Sequence, residues 1–239
     1  TMSERVTLRN ILTDLLYPPR CVLCGELCSW QEKLCPICRE RLSEAGCFAE
    51  DNVFNCEKLL WCAPYEGVLR RGMEQFKFDG VRESLPVFGG LLVAAVRQSG
   101  ILPRLTAVTY VPMPPARERH RGYNQSALLA AYLAKELGLP LRKGVVLRDG
   151  RATAHASANR AARVALAQES YRAGKVLLPQ GERILLVDDI ITTGATIENC
   201  AALLCGQGAE AVYDAAVLRT TKPPEQKKAM TLCIYCEMC

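Results

Sequence analysis

Two adjacent carboxylates, Asp188 and Asp189, close the apolar run Ile184-Leu185-Leu186-Val187, and Thr192-Thr193-Gly194-Ala195-Thr196 follows shortly after. An unbroken apolar run suits a strand buried on both faces of a parallel sheet. The carboxylates then emerge at its carboxyl end, where open α/β sheets bind ligands. The threonine turn suits an anion. Gly194 permits close backbone approach, successive amides can point at one set of oxygens, and a following helix N-terminus adds partial positive charge. Carboxylates beside a phosphate would repel it unless they contact something else, and ribose hydroxyls and Mg²⁺ are natural partners. The reading is therefore a 5′-phosphate on the turn, with the ribose 2′- and 3′-hydroxyls on Asp188 and Asp189. The plainer alternative is an Asp-Asp pair that merely caps the next helix.

Two further groups of residues have chemistry-bearing spacing. Val111-Pro112-Met113-Pro114 precedes Arg117, Arg119, His120 and Arg121. This is either a solvated basic loop or, beside a phosphate turn, a pyrophosphate-facing one. His120 reads as a loop residue and not as a general base. Lys77 reads either as a phosphate contact or as an exposed helix lysine. The second group is Cys21-x2-Cys24 with Cys35-x2-Cys38, two knuckles whose four thiolates suit tetrahedral structural Zn²⁺. Cys28 is close but not needed. Cys47, Cys56 and Cys62 read as core residues, the alternative being a degraded second ribbon; Cys200 and Cys205 read as core, and Cys233-x2-Cys236-x2-Cys239 as three thiolates of unassigned role.

The elements that must position these groups follow from periodicity. Helices are expected over 67–78, 85–98, 124–137 and 197–204, with strands at 107–111, 144–147, 183–187 and 211–218. Alternation of helix and strand is the pattern of a parallel sheet flanked by helices. Residues 6–16 read as a short amphipathic helix, 148–174 as an exposed or mobile excursion, and the tail from Lys222 as loose. Three sections are expected: an N-terminal helix and zinc-ribbon module at 1–62, the α/β domain at 63–221, and a cysteine-containing tail at 222–239.

Composition narrows the class. The 239 residues are 49% hydrophobic and 23% charged, with a net charge of +5, as in an ordinary globular protein. No run is long enough to span a bilayer and nothing resembles a signal peptide, so a cytoplasmic protein without membrane insertion is expected. Thirteen cysteines without an export signal favour metal thiolates over disulfides.

The stretch Ile184–Thr196 resembles the phosphoribosyl pyrophosphate signature of type I phosphoribosyltransferases. Val111-Pro112-Met113-Pro114, Arg121-Gly122-Tyr123-Asn124-Gln125, Tyr65-Glu66-Gly67 and Phe76-Lys77-Phe78 narrow the resemblance to the ComF group of that fold. The group carries a zinc ribbon where Cys21, Cys24, Cys35 and Cys38 stand. The resemblance implies a Mg²⁺-phosphoribosyl pyrophosphate ligand held by Asp188, Asp189, Thr192, Thr193, Gly194, Ala195, Thr196 and Arg121, with Asp188 and Asp189 in the catalytic position. It implies transfer of phosphoribose to an acceptor. It also implies a role beside single-stranded DNA and the competence machinery, for which Tyr123 or Trp30 offers a stacking face; a third reading is a non-catalytic sensor of phosphoribosyl pyrophosphate. The chain departs from the group between 148 and 174, where Thr153, Arg160 and Arg163 are kept but His155 and Leu166 replace the usual Gln and Asn.

Overall fold

Seven strands and six α-helices make up the described part of the computed structural model, which covers residues 18–28, 32–148 and 171–220. In chain order they are α1 (Pro36–Ser43), β1 (Phe48–Val53), β2 (Cys56–Pro64), α2 (Gly67–Glu74), α3 (Leu85–Gln98), β3 (Ala107–Tyr110), α4 (Pro115–Arg121), α5 (Gln125–Leu137), β4 (Val146–Arg148), β5 (Tyr171–Ala173), β6 (Arg183–Ile191), α6 (Ala195–Gly206) and β7 (Ala211–Arg219). The opening helix, Trp30, the positions 153–166 and the last three cysteines lie outside the described residues.

The main sheet has the order β1-β2-β7-β6-β3. Strands β2, β7, β6 and β3 run parallel, and β1 is an antiparallel edge. β7 is buried from Ala211 to Leu218, as a strand covered on both faces must be. One face packs under α3 and α5 through Phe88, Leu91, Leu92, Leu129 and Leu133. The other packs under α6 through Ile197, Cys200 and Leu204, against Leu59 and Trp61.

The structure departs from the sequence reading in four places. Residues 48–64 span the expected junction at 62–63, yet form a hairpin whose second strand enters the sheet beside β7. Glu50, Asp51 and Asn52 give β1 no apolar alternation, because it is an edge strand. The segment expected as a strand at 144–147 pairs antiparallel with β5 in a separate two-stranded sheet. Residues 115–121 are helical rather than a loop. Cys205 is exposed rather than core. The buried stripe of α6 is Ile197, Cys200, Ala201 and Leu204, and position 205 falls off that face.

The turn between β1 and β2 bears on the phosphate turn. Asn52, Phe54 and Asn55 all have positive φ, which is uncommon for a bulky residue such as Phe54. Gly194 has φ +83°, and a Cβ there would meet the Phe54 ring at 2.1 Å. The close approach permitted by Gly194 is thus used by the hairpin behind the turn. Gly194→Ala is expected to cost about 2 kcal/mol from left-handed strain and displacement of Phe54. Thermal denaturation checks this; an unchanged midpoint would show that the turn relaxes freely.

Candidate functional site

β6 runs through the aspartate pair, so the backbone of both residues is fixed within the strand rather than beyond its end. They border a cavity of about 230 Å³ at the carboxyl ends of β6 and β3. Asp188 is 8% exposed; its Oδ1 accepts from Ser126 Oγ at 3.0 Å and from the Asp189 amide at 2.8 Å. Burial, followed by the adjacent Asp189 charge, pushes the Asp188 carboxyl up to about 7. The Asp189 amide, Lys77 and Ser126 oppose the rise. Lys77 Nζ lies 2.8 Å from Asp189 Oδ2, with both side chains mostly buried. Lys77 is therefore part of the site and not a solvated helix lysine.

The residues Arg121 to Gln125 bind the parts of this site together. Gly122 ends α4 in the left-handed conformation. Tyr123 is buried and its hydroxyl donates to the Phe76 carbonyl, which removes it as a stacking face. The Asn124 side chain caps α5 by accepting from the Ser126 and Ala127 amides, and donates to the Val111 carbonyl at 3.1 Å. That cap places Ser126 against Asp188. Gln125 accepts from Arg121 at 2.6 Å and donates to the Lys77 carbonyl at 3.4 Å. One short motif thus fixes Lys77, Arg121 and the Ser126 bond to Asp188.

Four cations line the cavity. Lys77, Arg117 and Arg121 also line the adjoining basin, whereas Arg148, from β4, lines the cavity alone. Arg121 also sits 4.7 Å from the centre of the exposed Phe78 ring. Lys77, Phe78, Arg117, His120 and Arg121 surround an adjoining basin that has no carboxylate in its wall. His120 belongs to this outer basin rather than to the cavity.

Of the threonine turn, Thr196 lines the cavity, while Thr192 and Thr193 are exposed and Gly194 is buried. Gly194 is the N-cap residue of α6, and Ala195 donates to Thr193 Oγ1 at 3.5 Å. The first-turn amides of α6 lack intrahelical acceptors, as in every helix. Sequence reasoning passed over Ser126, Arg148 and Tyr171. Ser126 follows the Arg121–Gln125 motif directly; the other two had no local signal.

Cys21, Cys24, Cys35 and Cys38 bring their sulfurs within 4.8 Å of one another. Cys24 and Cys35 are 3.7 Å apart, close to the S···S separation of about 3.8 Å that tetrahedral Zn–S bonds of about 2.3 Å require. Burial raises the Cys21 thiol, but amide donors from Cys35, Leu23 and Cys24 outweigh it and bring it to about 7. The four residues fit structural zinc. Cys28 instead donates to the Glu32 carbonyl.

Residues 124–235 match the phosphoribosyl transferase domain, and residues 12–49 the double zinc ribbon domain. A DNA utilization protein, YhgH of Salmonella typhi, is 31% identical over 84% of this chain and 90% of its own. The chain belongs to the ComF/YhgH family. Competence protein ComFC of Streptococcus pneumoniae is 27% identical over 84% of this chain and all of its own. Competence protein F of Haemophilus influenzae is 28% identical over 77% and 85%. As a member of this family, the protein joins a phosphoribosyltransferase-type sheet, mixed but mainly parallel and flanked by helices, to an N-terminal four-cysteine ribbon. Among the described residues, no helix is long and apolar enough to cross a membrane.

Proposed function

We propose that the cavity binds phosphoribosyl pyrophosphate with Mg²⁺ and that the protein transfers its phosphoribosyl group to a nucleophilic acceptor. The observation that carries this is a carboxylate pair lining one cavity with four cations and Thr196 of the α6 first turn. A ligand that joins anionic groups to vicinal hydroxyls matches that donor set. The bonds that hold the pair within the protein go to Asp188 Oδ1 and Asp189 Oδ2. The other oxygen of each carboxylate faces no such bond among the described residues and suits a ribose hydroxyl or a hydrated Mg²⁺. When bound, Mg²⁺ neutralises the leaving pyrophosphate. Asp188 and Asp189 hold the ribose and stabilise positive charge developing at C1, the Thr192–Thr196 turn holds the 5′-phosphate, and Arg121 and Lys77 face the pyrophosphate.

Calorimetric titration with phosphoribosyl pyrophosphate, with and without Mg²⁺, tests the reading. Binding is expected to depend on Mg²⁺ and to vanish in the Asp188→Asn, Asp189→Asn variant. Affinity is also expected to rise between pH 6 and 8, because Asp188 loses its proton near pH 7 and only the carboxylate accepts hydroxyls and metal. No binding by the intact protein would sink the proposal.

A second reading has its own support. The basin around Phe78 joins an exposed aromatic ring to lysine, arginine and histidine, a combination that suits stacked bases and a phosphate backbone. The relatives named for DNA utilization and competence agree with single-stranded DNA as a partner. Salt-dependent binding of an oligonucleotide, lost in Phe78→Ala, is the expected result; salt-independent or absent binding sinks this reading.

A further inference from the structure

One cation lining the cavity, Arg148, comes from the β4–β5 pair rather than from the threonine turn or the Arg121–Gln125 motif. Arg148 stands opposite Tyr171 in the β4–β5 pair, which packs on α6. Its guanidinium carbon lies 4.9 Å from the centre of the Tyr171 ring. Both residues line the cavity together with Asp188 and Thr196. Tyr171 is 7% exposed, and its hydroxyl approaches the Thr196 side chain without completing a hydrogen bond of good geometry. A buried hydroxyl left short of a good hydrogen bond is costly, so its place beside a polar cavity points to a ligand oxygen shared with Thr196. Arg148 is half-buried and pairs with no carboxylate among the described residues.

The chemistry is that of an anion receptor. A guanidinium held on an aromatic face keeps its forked N–H groups free for a phosphate, and a phenol supplies one more donor. Burial raises the Tyr171 phenol to about 12, so it keeps its proton at neutral pH. Thr196, on the first turn of α6, lines the same cavity beside the Tyr171 hydroxyl.

We infer that Arg148 and Tyr171 form the outer wall of a 5′-phosphate subsite whose inner wall is the Thr192–Thr196 turn. They thereby restrict the site to ribosyl ligands carrying a 5′-phosphomonoester. This rests on the phosphoribosyl reading above and assigns it a selectivity element. The pyrophosphate end falls to Lys77, Arg117 and Arg121, which line the adjoining basin as well as the cavity.

Titration of the full chain with ribose 5-phosphate, and separately with inorganic pyrophosphate, tests the assignment. Arg148→Gln is expected to weaken ribose 5-phosphate roughly tenfold or more, and Tyr171→Phe several-fold. Both should leave pyrophosphate within about twofold, while Arg121→Gln reverses the pattern. Tyr171→Phe keeps the ring and its packing, so it remains informative if Arg148→Gln folds poorly. If intact protein binds ribose 5-phosphate and neither variant changes its affinity, the inference is overturned and the phosphoribosyl reading stands. If intact protein binds neither ribose 5-phosphate nor phosphoribosyl pyrophosphate, both fall.

Discussion

Asp214→Val is expected to stabilise the protein by about 1–3 kcal/mol at neutral pH. Asp214 lies in the middle of β7, is fully buried, and has neither carboxylate oxygen hydrogen-bonded among the described residues. Burial, then the Asp188 charge, pushes its carboxyl well above the ordinary range. The folded state therefore binds a proton that the unfolded chain releases above about pH 4. Stability from this group is greatest below that pH and falls as pH rises towards the folded value, by about 1.4 kcal/mol per unit within the window. Valine removes the penalty and suits a central strand. Urea unfolding at pH 5, 6 and 7 should show the advantage of the variant growing with pH. The Asp188 contribution has the same sign in both proteins and largely cancels in the difference. A constant difference across that range would mean that Asp214 is ionised and compensated in the fold.

Which parts of the site were legible in the sequence follows from how far apart their partners lie. The turn from Asp188 to Thr196 is contiguous, so its chemistry shows without the fold. The Arg121–Gln125 motif was also visible, although its use as a cap that aims Ser126 at Asp188 appears only in three dimensions. Lys77 had two readings, and its ion pair with Asp189, more than a hundred residues away, removes the exposed one. Arg148 and Tyr171 had no local signal, since they meet only when β4 and β5 pair across a long insertion. In the fold, β6 declared itself by its apolar run, and β7 was expected although Asp214 interrupts it and its alternation is less clean. The β1–β2 hairpin did not, because an acidic edge strand and a cysteine-bearing strand both resemble a continuation of the ribbon.

Loss of the four-cysteine site is expected to reach beyond the ribbon. Leu23, Leu34, Cys38 and Leu42 share one buried cluster with Leu69, Met73 and Phe76 of the α2 segment. At Gly72 the approach is so close that a Cβ would meet Leu23 at 2.5 Å. The residue after Phe76 is Lys77, the partner of Asp189. A metal that ties two knuckles together thus braces the surface on which the Lys77 segment rests. Cys38→Ser removes a buried ligand from the centre of this arrangement. It is expected to lower stability by about 3 kcal/mol or more, since site formation and folding are coupled. For a chain of this size that corresponds to a fall of several degrees in melting temperature. Metal analysis should show less than one zinc per chain in the variant, and phosphoribosyl pyrophosphate affinity should weaken through displacement of Lys77. A variant that loses zinc but keeps both melting temperature and affinity would make the ribbon an independent appendage, and the packing of Leu23 on Gly72 argues against that outcome.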